Sequence, residues 1–180
     1  MADGPSSPEQ QAVLDDYDRA RRTFHALLGE ATPADLARQT SGTRWTNRQL
    51  LWHMLFGYCV TRVLLGLARG FSRMPRSASQ VFARVLDAGT RPFDVINYLG
   101  PCGAVRVFGP GAMGAAFDRI TDSLARRLAK ESERDLARGM HCPGRWDPFF
   151  KDFMTLADLY RYPTQHFDFH HRQLTLGERG

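Results

Sequence analysis

"TNRQLLWHMLFGYCVTRVLLGLARG", Thr46 to Gly70, is the stretch that decides the fold. Thr46 and Gln49 make a Ser/Thr-x-x-Glu/Gln capping box, in which each side chain satisfies a backbone N–H at a helix start. Leu50 to Leu67 is the richest apolar run in the chain. Its apolar residues fall on most sides of the helix, and a helix of that kind belongs at the centre of a fold. His53, Thr61 and Arg62 interrupt the run, so a buried helix fits it better than a membrane span.

Three other long amphipathic helices frame this one. The first is expected from about Pro8 to Leu28, with Gly29 as a stop signal and Val13, Tyr17, Ala20, Phe24 and Leu27 as its apolar stripe. The third long helix is expected over about Ala112 to Ala137, with Met113, Phe117, Ile120, Leu124 and Leu128 facing inward. The fourth is expected from Thr155, capped by Thr-x-x-Asp, to about Leu176, with Gly177 ending it. Between the second and third lies a long crossover. "SASQVFARVLDAG" reads as a short helix ending at Gly89, and "RPFDVINYLG" as another. "GPCGAVRVFGPG" reads as a connection because Gly and Pro punctuate it, and "GMHCPGRWDPFF" as a loop with aromatic anchors. No segment alternates with period two over a useful length. The expected architecture is all-α: a four-helix bundle with short extra helices in the second-to-third crossover.

The chain of 180 residues is expected to form a single domain over residues 9–176, with residues 1–8 as a flexible tail. A domain of this size buries roughly 70% of its unfolded surface, so it needs no disulfide or metal merely to fold. The three cysteines, Cys59, Cys102 and Cys142, are odd in number and widely spaced, which argues against a disulfide framework and points to a reducing cytoplasm. The "MADGPSSPEQQ" start has no basic region followed by an apolar one, so it does not read as a signal peptide. The formal charge is +5 and the pI about 9.5. Basic residues are mixed with acids, as in "DDYDRARR" and "ESERDLAR", which describes solvated helix faces and not a nucleic-acid stripe.

The chemistry concentrates in "DLYRYPTQHFDFHHRQL", Asp158 to Leu174, which holds three of the six histidines. At about 100° per residue, Leu156, Leu159, Tyr160, Pro163, Phe167 and Leu174 form one stripe. His170 falls inside it and His166 at its edge, one turn apart on the same face, while His171 lies on the opposite shoulder. Two imidazoles so spaced can share one metal ion. Pro163 cannot donate to the carbonyl of Leu159 and loosens the turn before His166. His53, in the central helix, is the best third ligand. Gly57 leaves room one turn along, Gln49 is placed to accept from the ring N–H of His53, and Gln173, two turns after His166, is placed to do the same for His166. Burying three imidazoles without a shared partner leaves ring nitrogens unsatisfied at about 1–3 kcal/mol each. No Asp or Glu is placed by helical geometry on the histidine face, so no general base is expected there. His141 and Cys142 offer a weaker loop ligand or reactive thiol.

The pattern Trp45-x3-Gln49-x3-His53, followed at long range by "TLADLYRYPTQHFDFHHRQL", resembles the DinB/YfiT-like superfamily of metal-dependent enzymes. The resemblance extends from about Pro8 to Leu176 and implies an up-down-down-up four-helix bundle. It implies metal ligands at His53, His166 and His170. Gln49 stands where relatives carry Glu, and "HHRQL" lacks the glycine of the relatives' His-Arg-Gly-Gln, a register that would favour His171. Three imidazoles suit Zn²⁺, Ni²⁺ or Fe²⁺ and leave at least one open coordination position. Resemblance further implies a transferase using a low-molecular-weight thiol, mycothiol or bacillithiol, with arginines at the pocket mouth binding the polar parts of that cofactor. The partner would then be a small-molecule electrophile. A metal-dependent hydrolase is the alternative. The competing class is a non-catalytic bundle that binds a small apolar molecule or forms a homodimer. Neither nucleic acid nor membrane is an expected partner.

Overall fold

In a computed structural model of the protein, residues 7–177 are described. Eight helices follow in chain order: α1 Pro8–Glu30, α2 Pro33–Ala37, α3 Asn47–Phe71, α4 Arg76–Ala88, α5 Thr90–Val107, α6 Pro110–Leu128, α7 Glu133–Leu136 and α8 Leu156–His171. A two-stranded antiparallel ribbon, β1 Gly139–His141 and β2 Phe153–Thr155, precedes α8. The expected N-terminal tail falls mostly on residues 1–6, outside those described; Ser7 already caps α1 and Pro8 is its first residue. Thr46 and Gln49 form the capping box read from the sequence, and Thr155 and Asp158 form another at the start of α8.

Helices α1, α3, α6 and α8 make the bundle. Their directions follow from which residues meet. Along α1 and α8, Glu9 meets Arg161, Tyr17 meets Tyr160 and Arg19 meets Asp168, so these two run parallel. Gln10 donates to the carbonyl of Leu128 while Phe24 stacks on Phe117, so α6 runs against α1. His53 meets His166 while Arg69 reaches Tyr160, so α3 runs against α8. The order is up-down-down-up. Each of the four helices sends one aromatic ring into a common layer: Phe24, Tyr58, Phe117 and Phe167, all fully buried. Phe117 lies 4.3 Å from Phe24, 4.8 Å from Tyr58 and 5.9 Å from Phe167 between ring centroids.

Helix α3 is the one described helix long and apolar enough to cross a membrane; 56% of its most apolar window is buried inside the protein. It packs against α8, α6 and α5.

Four expectations are corrected by tertiary contacts. The third long helix does not reach Ala137. It stops at Leu128, because Ser132 caps a new short helix by accepting from the N–H of Asp135. Glu131 in the intervening turn is held by Arg69 and Tyr160, and its carbonyl by Gln10. The stretch expected as a connection, "GPCGAVRVFGPG", is helical as far as Val107 and carries Pro101 inside α5. Packing of α5 on α3 outweighs its breakers, with Trp45 Nε1 donating to the carbonyl of Tyr98 at 3.1 Å. The fourth long helix ends at His171 and not near Leu176. Its tail turns back because Arg38 holds the carbonyl of Thr175, Asn47 pairs with Thr175, and Ser41 holds the carbonyl of Gln173. The two strands were not expected, since three residues each are too short to show alternation. They pair because Gly139 lies so close to Met154 that a Cβ would sit 2.2 Å from its carbonyl oxygen.

Phe117→Ala removes a ring that touches the three other helices. It is expected to cost about 3–5 kcal/mol, within the usual range for Phe→Ala in a core. Urea titration followed by circular dichroism checks this; a loss below about 1 kcal/mol would show that the aromatic layer does not hold the bundle.

Candidate metal centre

The three histidines expected from sequence converge. One ring nitrogen from each of His53, His166 and His170 lies within 4.8 Å of the other two. His53 Nε2 and His166 Nε2 are 3.1 Å apart. Two nitrogens bound at about 2.0–2.1 Å to one ion would stand roughly 3 Å apart, so this pair is already at ligand spacing. Gln173 serves His170 and not, as expected, His166: its Oε1 lies 2.7 Å from His170 Nδ1, which leaves Nε2 as the candidate ligand atom of His170. His171 is exposed and is not in the cluster, so the alternative register is not the one the fold brings inward.

Helices α3 and α8 meet closely here because α3 carries glycine. A Cβ on Gly57 would lie 2.7 Å from His166 Nδ1 and 3.1 Å from its Cε1. Trp45 packs its ring 4.5 Å from that of His53 and closes one side. Gln49 does not serve His53 as expected. Its Oε1 accepts from the Thr46 N–H in the helix cap at 2.9 Å. The Nδ1 atoms of His53 and His166 are buried with no hydrogen-bond partner.

Burial keeps these imidazoles neutral. It lowers His53 from 6.5 to about 3, and the repulsion that a protonated His53 would meet from a protonated His170 adds to it. Burial also takes His166 well below 6.5, with His53 and His170 adding to it, and lowers His170 against the opposing bond from Gln173. Neutral imidazole is the form that ligates a metal. The three-imidazole donor set, the spacing of the His53–His166 pair and the neutral form of the rings fit one divalent ion.

A carboxylate stands beside the cluster, contrary to the sequence expectation. Asp147 Oδ2 is 3.8 Å from His166 Nε2. It belongs to the loop between β1 and β2, not to a helix, which is why helical geometry could not place it. Tyr162 Oη donates to Asp147 Oδ2 at 2.9 Å, and the Phe149 N–H to Oδ1 at 2.9 Å. Burial raises its pKa against those two hydrogen bonds. The aromatic anchors of "GRWDPFF" were the signal available: they fix the loop that carries it. Trp146 stacks on Phe93 at 3.8 Å and its Nε1 donates to the carbonyl of Leu86 at 3.0 Å.

The other loop candidates take structural roles. Cys142 is buried, and burial pushes its thiol up to about 12, so it is not the reactive thiol considered from sequence. His141 sits on β1 beside Phe153. All three cysteines are free. Asp168 turns away to Arg19.

The histidines line a cavity of about 610 Å³, open to solvent on one side and walled by α3, α4, α5, α8 and the β1–β2 loop. Among the described residues, no Arg or Lys lines it. The arginines expected at the pocket mouth are therefore not part of its wall.

The fold and this site define a helical bundle with a candidate three-histidine metal centre open to a cavity. The family profile of the DinB superfamily matches residues 16–174, and the chain belongs to that superfamily. No curated protein and no solved structure matches it.

Gly57→Ala is expected to abolish tight metal binding while costing about 1–3 kcal/mol of stability, the usual range for overpacking. Metal content and thermal melts of the purified variant check both. A pH effect follows as well. The three folded-state pKa values lie below the unfolded value, so as pH falls the unfolded chain takes up protons first. The metal-free protein is expected to keep its full stability above about pH 6.5 and to lose it progressively toward pH 3. Melts at pH 7 and 5 test this; an unchanged Tm would show that these rings are not buried neutral.

Proposed function

We propose that the protein is a metal-dependent enzyme that activates a nucleophile against a substrate seated in the cavity. The observation that carries the reading is the convergence of His53, His166 and His170 on the wall of that cavity. Three protein ligands leave an open position, as catalytic sites do and closed structural sites do not. An ion held there would act as a Lewis acid and lower the pKa of a bound water or thiol.

The residues of the chain do the rest. His170 is oriented by Gln173, and Gly57 lets His166 approach. Asp147, held by Tyr162 and the Phe149 N–H, accepts the proton that the nucleophile loses. It can return that proton to the leaving group. Trp45 and the apolar wall give the reacting atoms a mostly apolar surround.

The nucleophile distinguishes two readings. Transfer of a low-molecular-weight thiol, mycothiol or bacillithiol, to an electrophile is supported by the family and by the open site. Hydrolysis is supported by Asp147, because water needs a base more than a thiol does.

Protein purified without a His tag is expected to carry about one equivalent of zinc, nickel or iron. His53→Ala should lose it with the fold intact. Asp147→Asn should keep the metal and lower turnover by about 10²–10⁴-fold, the range for loss of a general base. Turnover of an electrophile with and without each thiol decides between transfer and hydrolysis. A folded protein that binds no metal after supplementation would rule out the enzyme reading.

A further inference from the structure

The wall of the cavity limits what can enter it. Its polar groups are few and mostly committed. The Trp146 N–H is used on Leu86, and the Tyr162 hydroxyl on Asp147. Apart from the histidines and Asp147, Asn97 is the one side-chain amide lining it. A second charge on a ligand would lie against apolar wall with no Arg or Lys among the described lining residues, which is costly. The cavity is also long. Its lining follows α3 from His53 to Leu67, a separation of about 21 Å along a helix that rises about 1.5 Å per residue. Its volume of about 610 Å³ lies inside the range of roughly 300–1,000 Å³ that holds a drug-sized ligand.

From this we infer that the substrate of the site is an elongated, mostly apolar molecule with a single polar head directed to the histidines. Its body lies along α3 between Val63, Leu64 and Leu67 on one side and Phe82, Leu86 and Phe93 on the other. The inference rests on the metal-centre reading for the placement of the head, and on the cavity wall alone for the chemistry of the body. An apolar electrophile, or an ester or amide with an alkyl or aryl chain, meets it; a polyanionic ligand does not.

Fluorescence of the neutral apolar dye N-phenyl-1-naphthylamine tests it on the full-length protein. The dye is expected to saturate one site and to be displaced by 1-decanol. Decanedioate, which would bring a second charge into the body of the cavity, should displace it at least tenfold less well. Val63 lines the cavity and is 62% exposed, so Val63→Arg alters the wall without disturbing the core. It should weaken dye binding at least tenfold. Val85→Arg, on exposed α4 surface outside the lining, should leave it unchanged. Equal binding in the two variants, loss only in Val85→Arg, or displacement by decanedioate as good as by 1-decanol would overturn the inference. Metal content of the same samples is read separately. Dye binding without metal supports the cavity inference while failing the enzyme reading; metal without dye binding does the reverse.

Discussion

The approach of α3 to α8 is the constraint on which the rest depends. At one level of the bundle, Gly57 admits the His166 ring and the neighbouring Tyr58 packs edge-on toward Phe167. Two successive residues on each helix thus serve two purposes. One pair closes the aromatic layer that ties the four helices, and the other brings a buried imidazole against His53. A larger residue at Gly57 would open both. The site is therefore part of the packing that makes the bundle, which gives its nitrogens the fixed positions a metal needs.

Burial supplies the chemistry. The same apolar surroundings that hold the histidines neutral raise the Asp147 carboxyl, and among the described residues the cavity wall has no Arg or Lys. The imidazoles and the carboxylate beside them are placed by different elements. The imidazoles stand on rigid helices. Asp147 stands on a loop clamped at its ends by the β1–β2 ribbon and at its middle by the Trp146–Phe93 stack. The crossover helices α4 and α5 then contribute Phe82, Leu86, Phe93 and Asn97 to the cavity wall, opposite α3.

Much of this was legible along the chain. The capping boxes at Thr46 and Thr155 mark helix starts because their hydrogen bonds close within four residues. The stripe through Val13, Tyr17, Ala20 and Phe24, and that through Phe117, Ile120 and Leu124, mark inward faces because helical periodicity is local. The spacing of His166 and His170 placed both on one face for the same reason. Those features are set by neighbours in sequence, so the sequence states them directly.

What the sequence by itself determined was therefore the four long helices, their buried faces and the histidines on them. Only the tertiary structure decided where the helices end, when the partner lies far along the chain. Thr175 leaves the helix for Asn47, and Glu131 is held in its turn by Arg69 and Tyr160. It also decided that Gln49 caps a helix and does not hold His53, that Pro101 stays helical against α3, and that a loop aspartate reaches His166. The physical reason is the same in each case. A hydrogen bond or packing contact between residues distant in sequence leaves no period to read, because its energy depends on geometry that exists only once the chain has folded.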